Sequence, residues 1–147
     1  MITNDRYIGI ASDHAGFELK EALKSELSLM GYQTKDFGTN SPDSMDYPDV
    51  AHPLAEAVVK GDVVVGIAIC GSGNGICMTV NKHQGIRAAL CWTDEISSLA
   101  RQHNNANICC LPARFISAES AKKIVLTFLS TDFEGGRHLA RINKINC

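Results

Sequence analysis

A thiol followed by three glycines is the strongest chemical signal in the sequence. Cys70 ends the apolar run that begins at Asp62 (DVVVGIAIC), and Gly71-Ser72-Gly73-Asn74-Gly75 follows it, with a helix predicted to begin near Ile76. Glycines lack a Cβ, so backbone N–H groups can converge on an anion at a helix N-terminus. The same surroundings stabilise a thiolate, which makes Cys70 a candidate base or nucleophile. A buried cysteine beside a glycine-rich turn is the structural alternative.

The loop after Cys70 differs from three familiar glycine-rich loops. Gly66 and Gly71 have the spacing of a Walker-type phosphate loop, but Ser72 stands where that loop requires lysine. The dinucleotide fingerprint requires glycine at position 76, where this chain has Ile76, and it follows the first strand of its fold. A cysteine-dependent phosphatase loop would have arginine at that same position. The glycines therefore indicate an anion cradle of another kind.

Two further polar groups stand where a strand or a helix is predicted to end. Asp13 and His14 follow the first predicted strand, where they form either part of a site beside Cys70 or only a helix cap and a surface histidine. His103 lies in the last turn of the fourth predicted helix, where the helix dipole favours an imidazolium that can donate a proton. A favourable helix end with no chemical role is the alternative for His103.

Two arginines near the C-terminus have a spacing that suits an anion-binding site. Arg137 and Arg141 lie four residues apart, so on a short helix both guanidinium groups reach one side and suit a phosphate dianion. Arg114, just past the fifth predicted strand, is a candidate third charge. A solvated basic face is the alternative.

These residues depend on a regular alternation of predicted strands and helices. The alternation occurs five times without a repeat or linker, which predicts a single doubly wound α/β domain over residues 1–147. In such a sheet ligands bind at the carboxyl ends of the strands. The predicted strands are 6–12, 32–37, 62–70, 86–91 and 106–111; the predicted helices are 15–30, 48–60, one from about 76, 93–103, 117–129 and a short one within 134–145.

The composition of the chain limits the classes of partner that we expect. A hydrophobic fraction of 45%, a charged fraction of 20% and a net charge of -2 are typical of a soluble globular protein and do not favour nucleic acid or an anionic membrane as partner. The longest apolar stretch, Val63 to Cys70, is too short to span a bilayer, so we expect a cytoplasmic protein. No cysteine pair has C-x-x-C spacing, and the six cysteines are interpreted as reduced thiols.

No metal site is expected from the spacing of histidines and carboxylates along the sequence, which makes a metal-assisted hydride shift an unfavourable hypothesis. His52 and His83 are interpreted as structural or solvated residues.

Six ordered segments together resemble ribose-5-phosphate isomerase B. The resemblance runs over almost the whole chain in the same order as in that family. The segments are SDHAG (Ser12 to Gly16), DYP (Asp46 to Pro48), CGSGNGI (Cys70 to Ile76), NKHQGIRA (Asn81 to Ala88), RQHNNAN (Arg101 to Asn107) and EGGRHLAR (Glu134 to Arg141).

The resemblance implies a three-layer α/β/α fold with a five-stranded parallel sheet, no cofactor, and a homodimer with active sites at the subunit interface, with a tetramer left open. It implies that Cys70 moves a proton between C1 and C2 of the sugar and that His103 helps to open the furanose ring. The loop Gly71, Ser72, Gly73, Asn74, Gly75 would hold the enediolate oxyanion; Asp13, Asp46, Tyr47 and Asn104 would meet sugar hydroxyls; His14, Arg114, Arg137, His138 and Arg141 would surround the phosphate.

Two departures and two alternatives accompany this interpretation. Ser72 stands where many members have threonine, and some relatives lack the cysteine and use a carboxylate base, so Cys70 indicates the cysteine-using branch. The expected reaction is the interconversion of ribose 5-phosphate and ribulose 5-phosphate in the pentose phosphate pathway. An isomerase of a hexose 6-phosphate, such as allose or galactose 6-phosphate, is the nearest alternative, and a non-catalytic phosphate-binding module is a more distant one.

Overall fold

The computed structural model describes residues 2–3 and 5–146 and contains five strands and six α-helices in that part of the chain. The strands are β1 (Tyr7–Ser12), β2 (Gln33–Asp36), β3 (Val65–Cys70), β4 (Ala88–Leu90) and β5 (Ile108–Pro112). The helices are α1 (Phe17–Leu29), α2 (Pro48–Lys60), α3 (Asn74–Val80), α4 (Asp94–Asn104), α5 (Ala118–Ser130) and α6 (Arg137–Ile142).

All five strands are parallel and form one sheet in the order β2-β1-β3-β5-β4, which confirms the predicted five-stranded parallel sheet. From β1 the chain goes to β2 at one edge and returns to β3 on the other side of β1; from β3 it goes to β4 at the far edge and returns to β5, which lies between β3 and β4. Ser12 at the end of β1 pairs in register with Ile69, so the residues that follow β1 lie beside Cys70. A crevice at such a reversal is where open parallel sheets bind ligands.

Helices cover both faces of the sheet, which confirms the three-layer architecture. Buried side chains of α1, α4 and α5 pack on one face, and those of α2 and α3 pack on the other. All six residues of β3 are buried, as its continuous apolar sequence predicts for a central strand covered on both sides.

Several predicted boundaries were wrong by two or three residues. The strand predicted from residue 62 begins at Val65, because the N–H groups of Asp62 and Val63 bond to the carbonyl of Ala57 and tie this segment to the end of α2. The first helix was predicted from residue 15, but a 3₁₀ turn over His14–Gly16 precedes it. Pro53 lies inside α2, beyond its first turn.

Hydroxyl side chains cap the starts of two helices. The hydroxyl of Thr93 accepts a hydrogen bond from the N–H of Ile96 at the start of α4 (3.2 Å). Ser117 does the same for the N–H of Ser120 at the start of α5 (3.1 Å). Each cap satisfies one of the backbone donors that a helix start leaves unpaired.

The described cysteines are all free thiols: Cys70, Cys91, Cys109 and Cys110 are buried, and Cys77 is half-buried. Cys147, also predicted to be reduced, lies outside the described residues. None of the helices in the described part of the chain has the length and apolar character needed to cross a membrane.

A buried lysine joins α1 to the end of β2. The side chain of Lys20 is 0% exposed, and its Nζ donates to Asp36 Oδ2 at 2.6 Å and to Glu21 Oε1 at 2.8 Å. Lys24 Nζ donates to the same Asp36 oxygen at 2.7 Å. Pairing on this scale offsets the cost of burying an ammonium group.

Asp36 connects this ion-pair network by a hydrogen bond to the loop that leads to the candidate site. Its second carboxylate oxygen, Oδ1, accepts the N–H of Gly38 at 2.9 Å. The carbonyl of Gly38 accepts from Ser12 N–H (2.8 Å), and Thr39 N–H donates to the carbonyl of Ser12 (2.7 Å) across a cis Gly38–Thr39 peptide bond. The start of the loop is therefore fixed against the end of β1.

We predict that Asp36→Asn destabilises the protein by about 1–3 kcal/mol at neutral pH, because Lys20 loses a charged acceptor. Burial alone would raise the pKa of Asp36, but hydrogen bonds from Lys20, Lys24 and Gly38 leave that pKa below its ordinary value. The stabilisation is therefore present above the ordinary aspartate pKa and is lost as the pH falls below about 4. Urea unfolding at several pH values measures the difference.

Glu56→Gln is the matched control, since the carboxylate of Glu56 pairs with Lys60 at 3.6 Å and both side chains are exposed. Its effect should stay within about 0.5 kcal/mol. Equal stability of the Asp36 variant and the natural protein at neutral pH would contradict the role given to the network.

Candidate active site

The carboxyl ends of β1, β3 and β5 bring together a first group of predicted residues, which we name the strand-end cluster: Asp13, His14, Asp46, Tyr47, Cys70 to Gly75, and Arg114. Asp13 and Cys70 are both buried in it, 7% and 4% exposed. The N–H of Asp13 bonds to the carbonyl of Ile69 at 3.1 Å, which sets Asp13 beside Cys70. The predicted proximity of these two residues is confirmed.

Asp13 also has the structural role that its sequence position allowed. Its Oδ1 accepts the N–H of Gly16 at 3.1 Å and caps the 3₁₀ turn before α1. The cap fixes the direction of the carboxylate, since one oxygen is held by the backbone. A cap and a site residue are therefore compatible functions of the same side chain.

The glycine loop after Cys70 lies between two side chains that approach its backbone closely. A Cβ on Gly75 would lie 2.4 Å from Tyr47 Cζ, and one on Gly71 would lie 3.3 Å from Arg114 Nη1. Gly73 has a φ of 75° at the N-cap of α3, which favours glycine. The phenol and the guanidinium thus flank the loop at its two ends.

His14 links the strand-end cluster to the loop that carries Asp46 and Tyr47. The N–H of Met45 donates to His14 Nδ1 at 3.2 Å. Asp46 is exposed two residues before the start of α2, and Tyr47 is the N-cap residue of that helix. The imidazole of His14 therefore helps to set the position of the predicted sugar-binding residues.

A second group, which we name the helix-end cluster, gathers at the end of α4 and along α6: His103, Asn104, Glu134, Arg137, His138 and Arg141. The rings of His103 and His138 stack with their centroids 4.2 Å apart and their planes 12° from parallel. His138 Nε2 lies 3.5 Å from Glu134 Oε2, and Glu134 N–H donates to the carbonyl of Gln102 at 3.0 Å.

The charges of the helix-end cluster favour an anion. Desolvation lowers the pKa of His138, nearby His103, Arg137 and Arg141 lower it further, and Glu134 opposes them. The positive groups of this cluster therefore repel one another. A phosphate dianion would relieve that repulsion.

Within one chain, the two clusters lie at opposite ends of the strands. The residues of the strand-end cluster follow strands at their carboxyl ends, whereas α4 runs antiparallel to β4 and β5 and ends near the start of β5. With 11 residues, α4 is about 16 Å long. Arg114 belongs to the strand-end cluster, so it does not join Arg137 and Arg141 within one chain.

One set of side chains in the described residues has the composition of a metal site, although none was expected from the sequence. The nearest ligand atoms of His103, Glu134 and His138 lie within 4.8 Å of one another. Imidazole lone pairs lie in the ring planes, and these rings are stacked almost parallel, so their lone pairs do not converge on one point as placed. Arg137 and Arg141 further disfavour a cation here.

Two features of the loop between α3 and β4 were missed from the sequence. His52 Nδ1 lies 2.7 Å from His83 Nε2, a contact between residues 31 apart that no local pattern signals. A cavity of ≈ 640 Å³ is lined by most of the segment 81–89 together with Asn104, Ala106, Ile145 and Asn146. The cavity adjoins the helix-end cluster, and the residues of the strand-end cluster lie outside its lining.

Comparison with known sequences identifies the family. The chain matches the family described as Ribose/Galactose Isomerase over residues 8–145. It is 46% identical over 140 residues to the probable ribose-5-phosphate isomerase B of Mycoplasma genitalium, which covers 94% of this chain and 92% of that protein. The ribose-5-phosphate isomerase B of Escherichia coli is 41% identical over 138 residues, which cover 94% and 93% of the two chains.

Solved structures agree with the sequence comparison. A crystal structure of a ribose 5-phosphate isomerase from Thermotoga maritima, 51% identical, superposes with a TM-score of 0.94 over 95% of this chain and 97% of that one. The ribose-5-phosphate isomerase B of Mycoplasma genitalium with bound ribulose-5-phosphate, 45% identical, gives a TM-score of 0.90 over 95% and 93%. This chain therefore belongs to the Ribose/Galactose Isomerase family.

Proposed function

We propose that this protein interconverts ribose 5-phosphate and ribulose 5-phosphate through an enediolate intermediate. The observation that carries the proposal is the position of Cys70, at the end of the central strand, beside Asp13 and directly before a glycine loop flanked by Tyr47 and Arg114. A relative that is 45% identical over nearly the whole chain binds ribulose-5-phosphate. We propose that this reaction belongs to the pentose phosphate pathway.

Proton transfer between C1 and C2 requires a base and a stabilised oxyanion. Cys70 as a thiolate takes the proton from C2 of the open aldose and returns it to C1, while the hydroxyl proton moves from O2 to O1, so no external acid, base or redox partner is consumed. The N–H groups of the Gly71 to Gly75 loop face the oxygen on which negative charge develops. Donors held in a fixed loop stabilise that charge without reorganising during the reaction.

The helix-end cluster supplies ring opening and anchoring. His103 donates the proton that the ring oxygen requires when the furanose opens, and Asn104 binds a sugar hydroxyl. The phosphate is held far from the reacting carbons, which fixes their position next to the base. Sugar hydroxyls meet Asp13, Asp46, Tyr47 and Asn104, and the phosphate meets His14, Arg114, Arg137, His138 and Arg141.

We also propose that two copies of the chain share each active site. We infer that a pentose phosphate is too short to reach both clusters of one chain, because they lie at opposite ends of the strands and α4, which runs between those two ends, is about 16 Å long. A two-fold dimer in which the strand-end cluster of one subunit faces the helix-end cluster of the other restores the complete set twice. A pair of such dimers would form a tetramer without altering the sites. The free thiols of the described residues fit a reducing compartment, the cytoplasm.

Cys70→Ala is predicted to abolish isomerisation while leaving sugar-phosphate binding within about threefold, because the base is removed and the anchors remain. Coupled kinetics measure turnover, and calorimetry with ribose 5-phosphate measures binding. Cys77→Ala is the matched control, since Cys77 is a half-buried thiol on α3 outside the proposed site. Substantial turnover by the Cys70 variant would contradict the assignment of the base.

Substrate length is tested with a panel of pentose and hexose phosphates. We predict that kcat/KM for ribose 5-phosphate exceeds that for allose 6-phosphate or galactose 6-phosphate by about 10-fold or more, because an additional carbon displaces either the phosphate or the reacting carbons. A larger kcat/KM on a hexose phosphate would replace the proposed substrate by the six-carbon alternative. No turnover on any sugar phosphate would favour a binding module.

A further inference from the structure

We propose that Arg87 is a positioning residue for ring opening: its guanidinium holds the turn that carries His103 and Asn104, and it takes no part in proton transfer at C1 and C2. This inference rests on the proposed function, because it gives Arg87 a role only if His103 opens the furanose. Arg87 belongs to the NKHQGIRA segment, for which neither cluster provides a role.

The guanidinium of Arg87 contacts the carbonyl groups at the end of α4. Its Nε donates to the carbonyl of Asn104 at 2.9 Å, and its Nη2 donates to the carbonyl of Asn105 at 3.0 Å. These carbonyls lie at the negative end of the helix, where a positive charge is favourable. The forked shape of the guanidinium fixes two successive peptide planes, which a single ammonium group cannot do.

The turn that Arg87 holds has an unusual backbone. Asn105 has a φ of 44°, in the left-handed region, and reverses the chain between α4 and β5. On the other side of the turn, Arg101 Nη1 donates to Asn105 Oδ1 at 3.2 Å and to the carbonyl of Ala106 at 2.5 Å. Two arginines thus hold the same turn, and the loss of one leaves its left-handed residue less well determined.

The backbone of Arg87 is itself fixed. Its N–H donates to Asn107 Oδ1 at 2.8 Å, and its carbonyl accepts the N–H of Asn107 at 2.9 Å. The side chain therefore extends from a rigid strand start to the end of α4. Movement of the Asn104 carbonyl would tilt the last turn of α4 and shift the His103 ring from its stack on His138.

Of the two chemical steps, ring opening and proton transfer, Arg87 is placed to act on ring opening, because of its location. Its contacts lie at the amino ends of the strands, near the helix-end cluster. In the same chain, Cys70, Asp13 and the glycine loop lie at the carboxyl ends. The Nε and Nη2 atoms that bind the two carbonyls are occupied, so those atoms are not substrate ligands. A defect in Arg87 should therefore affect ring opening and spare the enediolate step.

The experiment compares two substrates in Arg87→Lys. Ribose 5-phosphate must open its furanose ring, whereas 4-deoxyribose 5-phosphate lacks the hydroxyl that closes this ring and is always open. Relative to the natural protein, kcat/KM for ribose 5-phosphate should fall at least about 10-fold, because small misplacements of a catalytic group are costly. For the 4-deoxy substrate it should stay within about threefold.

Two further variants serve as references. His103→Gln should show the same pattern as Arg87→Lys with a larger loss, and Lys82→Gln, which removes a positive charge from the same segment, should change neither substrate. Arg87→Gln replaces Arg87→Lys if the lysine variant does not fold, as judged by its thermal melt.

Equal losses on both substrates, or no loss on either, would overturn the role of Arg87. If His103→Gln separates the substrates and the Arg87 variants do not, the inference about Arg87 alone fails. If His103→Gln does not separate them, the ring-opening role of His103 fails, and the role of Arg87 fails with it.

Discussion

The direction of the strands in a parallel sheet is the constraint on which the whole account depends. Because β1 and β3 run side by side in the same direction, Asp13 and Cys70 meet at the carboxyl ends of these strands. Because α4 connects the parallel strands β4 and β5, it runs in the opposite direction, and His103 in its last turn lies at the amino ends of the strands. In one chain the proposed base and the proposed ring-opening histidine lie at opposite ends of the strands, which is why we propose that a second copy completes each site.

Each half of the site is supported by charged groups that the chemistry itself does not use. On the strand-end side, buried Lys20 holds Asp36, which holds Gly38 and thereby the loop that leads to Asp46 and Tyr47. On the helix-end side, Arg87 and Arg101 hold the turn after His103. Fixed geometry matters in both halves because the substrate is small and groups from both subunits of the proposed dimer must meet it at the same time.

Features that depend on local sequence were predictable. The apolar run before Cys70 identified the central strand, Thr93 and Ser117 identified helix starts, and the glycines after Cys70 identified the loop at the strand end. In each case the signal and its structural consequence lie within a few residues, where side-chain periodicity and capping decide the outcome.

Features that depend on contacts between distant segments were not predictable. The strand order, with β5 between β3 and β4, follows from packing of whole elements. Lys20 has the appearance of a surface lysine until its carboxylate partner 16 residues away is known. The separation of Arg114 from Arg137 and Arg141 follows in the same way from strand direction, which individual motifs do not reveal.

Mixed dimers test the shared site most directly. A heterodimer with Cys70→Ala in one subunit and His103→Gln in the other, purified with two different affinity tags, has one site with both native residues and one with neither. The account predicts that its kcat recovers to about half that of the natural protein, well above both parent homodimers. A heterodimer no more active than the mean of the two parents would show that Cys70 and His103 act within the same subunit.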